Sequence, residues 1–165
     1  MKKIVFAFMF LVLGLASFAQ VNITKVDKIQ PNDEIFMDMA VTAAQKAVAD
    51  GLKPGGAVVI LNGAWRATGL PVDGQTPEEN AIAKSRRTKL NGATIYTINQ
   101  PTSATLNAIM ASGADAVYFV NSSNEVVAAG IFSSDDYNPE SIDKSLTPVP
   151  TYQLNYSPAS DLLKK

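Results

Sequence analysis

The chain has 165 residues, a formal net charge of −1 at pH 7, and neither cysteine nor histidine. That length suits one ordinary domain with its own core, and the nearly balanced charge gives no electrostatic case for nucleic acid or an anionic membrane as a partner. Without cysteine there are no disulfides, and without histidine or thiolate the usual zinc ligands are missing from the whole chain.

In chain order, Met1-Lys2-Lys3, the apolar run Ile4 to Leu15 and then Ser17-Phe18-Ala19 have the three parts of a secretory signal peptide, with cleavage expected after Ala19. The run is shorter than the roughly 20 residues that span a bilayer. No cysteine near the cleavage site offers a lipid anchor. The expectation is therefore an exported protein, periplasmic or secreted, with no membrane association after cleavage and one mature domain over residues 20–165.

After a polar lead-in from Gln20 to Pro31, Asn32-Asp33 offers an N-cap, and Phe36, Met39, Ala40, Ala43, Ala44, Ala47 and Val48 recur at helical spacing until Gly51. Gly55 to Leu61 reads as a strand, Asn62-Gly63 as a hairpin turn and Ala64 to Thr68 as the returning strand. Trp65 on that hairpin is expected to be packed. A second helix opens at Thr76-Pro77, with Thr76 as N-cap and Glu79 closing a capping box, and is expected to run to about Lys89. The basic run Lys84 to Lys89 at its end reads as a solvated helix terminus favoured by the helix dipole.

A third strand is expected over Ala93 to Ile98. Pro101 suits a helix entrance, and a third helix follows over Thr102 to Ala111 with Gly113 as its stop. Ala116 to Val120 reads as a fourth strand, 124–130 as a short helix or, through Val126-Val127, a strand, Thr147 to Leu154 as a proline-marked edge strand, and Ser157-Pro158 as the start of a terminal helix. Alternating strands and helices in this half imply a parallel portion of sheet.

The run Gln100-Pro101-Thr102-Ser103-Ala104-Thr105-Leu106-Asn107-Ala108-Ile109 resembles the zinc-binding segment of the cytidine deaminase-like superfamily, above all its guanine deaminase and tRNA adenosine deaminase branch. That segment reads Glu-Pro-Cys-x-x-Cys and continues into a helix. Thr76-x-Glu78-Glu79-Asn80-Ala81-Ile82 is similar to the family's His-x-Glu-x-Asn-Ala-Ile helix start. The stretch from Phe36 through Gly56-Ala57-Val58-Val59 is similar to its first helix and glycine-alanine strand, with Gly55 where an aromatic is usual. Val117-Tyr118-Phe119, and beyond it Gly130-Ile131-Phe132 and Asp135-Asp136, are similar to its fourth strand and following acidic stretch. The resemblance implies a three-layer α/β/α fold on a mixed five-stranded sheet, with an antiparallel N-terminal hairpin and a parallel C-terminal portion. It also implies a capacity to form a homodimer.

In such deaminases one histidine and two cysteines hold Zn²⁺, and a glutamate that is not a ligand shuttles protons. By resemblance the histidine falls on Thr76, the cysteines on Thr102 and Thr105, and the glutamate on Glu78, while the substrate-holding asparagine falls on Pro71. Neutral hydroxyls are poor partners for a borderline-soft dication, so no metal and no zinc cofactor is expected. Thr76, Glu78, Thr102 and Thr105 then form a degenerate pocket with Glu78 as a vestigial proton-shuttle position, and Asp135, Asp136 and Tyr137 at its rim by analogy. The same residues are also explained as helix caps and first-turn residues. Three readings follow: a pseudoenzyme that binds a small polar ligand or a protein, a residual nucleobase or nucleoside deaminase using Glu78 as acid/base, and a purely structural interaction domain.

Overall fold

The computed structural model describes residues 21, 23–26, 28–72, 74–120, 139–154 and 156–158. The expected leader, the 124–130 helix or strand, the Asp135-Asp136-Tyr137 rim and the body of the terminal helix lie outside these residues. The elements are β1 (Ile23–Val26), α1 (Pro31–Ala49), β2 (Ala57–Leu61), β3 (Ala64–Gly69), α2 (Pro77–Lys84), β4 (Ala93–Thr97), α3 (Ser103–Ser112), β5 (Ala116–Val120), a 3₁₀ turn (Pro139–Ser141) and β6 (Thr151–Leu154). Among the described residues no helix is long and apolar enough to cross a membrane.

The sheet has six strands in the order β1-β6-β5-β4-β2-β3. β2 pairs antiparallel with both β3 and β4, whereas β4/β5, β5/β6 and β6/β1 are parallel. The mixed sheet between helical layers matches the expected class, with one strand more than expected. That strand is β1, in what the sequence suggested was a polar lead-in. It is an edge strand whose Thr24 and Lys25 are exposed; all four of its residues pair with β6, and Val26 packs against the α1-side core. β6 is correspondingly internal, not an edge. Pro148 and Pro150 precede the strand instead of interrupting it, and the Pro150 carbonyl accepts from the Val117 amide at 2.9 Å.

Alternation along the strands separates two cores. Ala57, Val59, Ile95, Val117 and Phe119 face α2 and α3, with Leu106 and Ile109 packed against them. Val58, Ile60, Tyr96 and Val120 face the other way, onto Met37, Ala40, Val41 and Ala44 of α1. On this second face Tyr96, Tyr118 and Tyr152, aligned across β4, β5 and β6, stack at 5.0 and 4.6 Å between ring centroids. Phe36 caps the row at 5.3 Å, and the Tyr96 hydroxyl donates to Asp33 at 2.6 Å.

Two glycines let helices sit directly on strands. A Cβ on Gly56 would lie 2.3 Å from the Ala40 carbonyl of α1, and one on Gly69 would lie 1.8 Å from the Pro77 carbonyl of α2. Helix ends differ from expectation in three places. α1 is capped by Gln30 without a side-chain bond and begins at Pro31, although Gly51 closes it with φ +77°. α2 stops at Lys84 rather than near Lys89, because the Ser85 hydroxyl bonds the Ile82 carbonyl at 2.6 Å and Arg86 turns to φ 55°. α3 starts at Ser103, so Pro101 precedes the cap instead of opening the helix.

Candidate functional site

The site residues are placed by two helix starts at the C-terminal end of β4. Thr76 caps α2: its hydroxyl accepts from the Glu79 amide at 3.3 Å while the Glu79 carboxylate accepts from the Thr76 amide at 2.9 Å. This is the capping box expected from Thr76-Pro77-Glu78-Glu79. It sets the second residue of the helix, Glu78, against the sheet, where it is buried.

Residues 93, 95 and 97 of β4 point to the α2/α3 side, so Thr97 meets Glu78 there and its hydroxyl donates to the Glu78 carboxylate. Burial pushes the Glu78 carboxyl above its ordinary value of 4.5; bonds from Thr97, the backbone and Thr76 oppose the rise, and the neighbouring Glu79 charge adds to it. Asn80, on the same helix, accepts from the Leu70 amide at 3.2 Å and donates to Gln75 at 3.0 Å, holding the loop before α2.

The second helix start is built from threonines. Thr102 is the N-cap of α3, accepting from the Thr105 amide at 3.1 Å, and the two hydroxyls bond each other at 3.0 Å. Thr105 is buried and Thr102 half-buried. Between the two starts, the Asn99 backbone amide donates to the Thr97 hydroxyl at 3.4 Å, while the buried Asn99 Oδ1 and Gln100 Nε2 have no hydrogen-bond partner among the described residues. Pro71, Pro77 and Asn99 crowd Gly55, each within 3.0–3.3 Å of where a Cβ would be. Among the described residues no three His, Cys, Asp or Glu side chains gather as a metal site.

No protein-family model matches the chain, and no curated protein matches it. Solved structures do. A mutant of NE0047 in complex with 8-azaguanine has a TM-score of 0.63 and 18% identity, over 80% of this chain and 82% of that one. A tRNA:A34 deaminase structure has a TM-score of 0.55 at 21% identity, over 73% of this chain and 97% of the other. The apo dCMP deaminase of cyanophage S-TIM5 reaches 0.51 at 18% identity, over 76% and 99%.

This is the cytidine deaminase-like fold.

Within the deaminase-like fold, the predicted residues form two bonded groups. Thr76 and Glu78 join Thr97, and Thr102 joins Thr105. Sequence reasoning missed Thr97 and Asn99. The available signal was a hydroxyl at the very end of a short strand, two residues before the consecutive amide side chains of Asn99 and Gln100. Two concavities bordered by described residues lie elsewhere, one of about 740 Å³ between α1 and β3 and one of about 690 Å³ where Lys89, Asp115 and Leu146 meet.

Proposed function

We propose that the chain is an exported, zinc-free deaminase-like domain that binds a small polar molecule or a protein instead of deaminating a base. The observation that carries this is the threonine pair. Thr102 and Thr105 are bonded to each other and to the start of α3, so the hydroxyls standing at the family's cysteine positions are already engaged. They and Thr76 are neutral oxygen donors, a set that does not fit a metal normally held by imidazole and thiolate. Zinc lowers the pKa of bound water from about 15.7 to about 7, so forming the hydroxide without it costs roughly 12 kcal/mol more. Glu78 alone does not supply that.

A binding role is supported by Asn99 Oδ1 and Gln100 Nε2, a buried acceptor and donor with no hydrogen-bond partner among the described residues, close in sequence to the half-buried Thr102. A ligand offering both a donor and an acceptor would satisfy them. A second reading, a structural domain with a filled pocket, is favoured by the burial of Glu78 and Thr105 and by the prolines crowding Gly55.

The test is a deamination assay with guanine, adenosine, cytidine and dCMP, beside a thermal-shift screen with the same compounds. The expected result is no ammonia release. Saturation at 100 times Kd would stabilise the fold by about 2.7 kcal/mol. Turnover abolished by Glu78→Gln would overturn the proposal in favour of a residual deaminase. No shift with any compound would favour the structural domain.

A further inference from the structure

The stacked tyrosines on the α1 face carry a chemistry unrelated to the deaminase-like site. Tyr96, Tyr118 and Tyr152 occupy one register position on β4, β5 and β6, so strand parity sends all three rings to the same face and the strand pairing sets them in contact. They are not equivalent. Tyr96 is buried and held at both ends: its hydroxyl donates to Asp33 at 2.6 Å, and its ring lies between Phe36 and Tyr118 at 5.3 and 5.0 Å. Tyr118 and Tyr152 are half-buried, and their hydroxyls form no hydrogen bond among the described residues. Their rings stack at 4.6 Å with 20° between the planes, closer than the Tyr96–Tyr118 pair. Beyond Tyr152 the row ends at the exposed Thr24 of β1, which has no ring.

One-electron oxidation of a phenol places much of the radical on the two ring carbons ortho to the oxygen. At 4.6 Å between centroids the carbons of two stacked rings are in van der Waals contact, so a bond between them needs the rings to turn rather than the strands to move. Turning is open to Tyr118 and Tyr152 and closed to Tyr96, whose hydroxyl is bound to Asp33. Each phenol gives one electron to the oxidant and its hydroxyl proton to water. The two radicals join in one Cε–Cε bond, and the hydrogen on each joined carbon returns through water to its oxygen, restoring both phenols. The net loss is two electrons and two protons, and two equivalents of oxidant are each reduced by one electron. The chain has no cysteine to consume that oxidant first. Its one tryptophan, Trp65, is 57% exposed, contrary to the packed position expected from the sequence, because the β2/β3 pairing shifts between Val59 and Ile60 and the bulge re-aims the ring. Trp65 lies on β3, at the opposite edge of the sheet from β1 and β6, and its oxidation makes no bond between tyrosines.

We infer that Tyr118 and Tyr152 are a site of dityrosine cross-linking, where a diffusible one-electron oxidant joins the two rings into a covalent tie between β5 and β6. In a chain without cysteine the tie takes the place of a disulfide, closing the loop between residues 118 and 152 and narrowing the unfolded ensemble. The probe oxidant is ruthenium(III) tris-bipyridyl, generated by light from the ruthenium(II) complex and persulfate, applied to dilute folded protein. The expected product is a monomer that fluoresces as dityrosine. Digestion of it should yield a pair of peptides joined through Tyr118 and Tyr152, lighter than their sum by the hydrogens lost. Tyr118→Phe and Tyr152→Phe should each remove the fluorescence from the monomer, whereas Tyr137→Phe should leave it. Protein unfolded in urea should lose the preference for this pair, since the preference rests on the folded stack. No link within the monomer, a link that joins another pair of tyrosines, or the same yield of the 118–152 link in urea would overturn the inference. So would fluorescence confined to covalent dimers, which would place the coupling between chains.

Discussion

At the C-terminal end of β4, Glu78, Thr97, Thr102 and Thr105 are buried or half-buried, and each has a partner in its neighbours. In the groove between α1 and β3 the opposite holds: Trp65 and Ile35 are mostly exposed, and Lys84 forms no ion pair among the described residues. The first recess is where the deaminase pattern falls, and the second has no counterpart in that pattern. The difference teaches that position in a fold does not by itself confer reactivity. A hydroxyl already bonded to a helix start and to a second hydroxyl has less to offer a metal or ligand than a cation outside any ion pair.

Substitutions can break or sharpen this contrast. The largest effect is expected at Gly69, which lets α2 lie on β3 and so positions Glu78. Gly69→Ala should cost about 3 kcal/mol or more in urea denaturation, because its Cβ would collide with backbone that has no room to yield. Next comes Thr97→Val, which removes the hydroxyl that donates to buried Glu78 and should cost about 2 kcal/mol in the same measurement. An effect within about 0.5 kcal/mol, the range of surface changes, would mean that the Glu78 recess is not held by that bond.

Glu78 itself gives a signed pH dependence. Its carboxyl is raised above 4.5 by burial, so the folded chain keeps a proton that the unfolded chain releases. That contribution to stability is fully present below about pH 4.5 and is lost as pH rises through the folded value. Thermal melts should therefore show Glu78→Gln gaining on the parent as pH rises from 4.5 to 8. A constant difference across that range would contradict a proton held there. The smallest effect is expected at Trp65: Trp65→Ser should change stability by no more than about 0.5 kcal/mol, as befits an exposed ring. A larger loss in urea denaturation would make the ring part of the core and erase the contrast between the two recesses.

Much of the framework was legible in the chain. The Asn62-Gly63 hairpin, the Thr76 capping box, the strands near 93–97 and 116–120 and the glycine stops at 51 and 113 all rest on local chemistry, and all are present. What was not legible depends on distant pairing. β1 pairs with β6 along its whole length, β6 is internal because β1 covers its far edge, and neither fact is written in its own few residues. At the candidate site, Thr76, Glu78, Thr102 and Thr105 were singled out, but Thr97 was not, since strand parity alone brings it to Glu78. Trp65 was misjudged because a bulge, invisible in the sequence of a short strand, turns it outward.

The central claim is that the threonines at the two helix starts do not make a zinc site. Its most direct test is equilibrium dialysis of the purified protein against Zn²⁺, with bound metal counted by mass spectrometry and compared with Thr102→Ala and Thr105→Ala. The account predicts no specific zinc in the parent and no difference among the three proteins. One zinc per chain in the parent, lost in either variant, would contradict it.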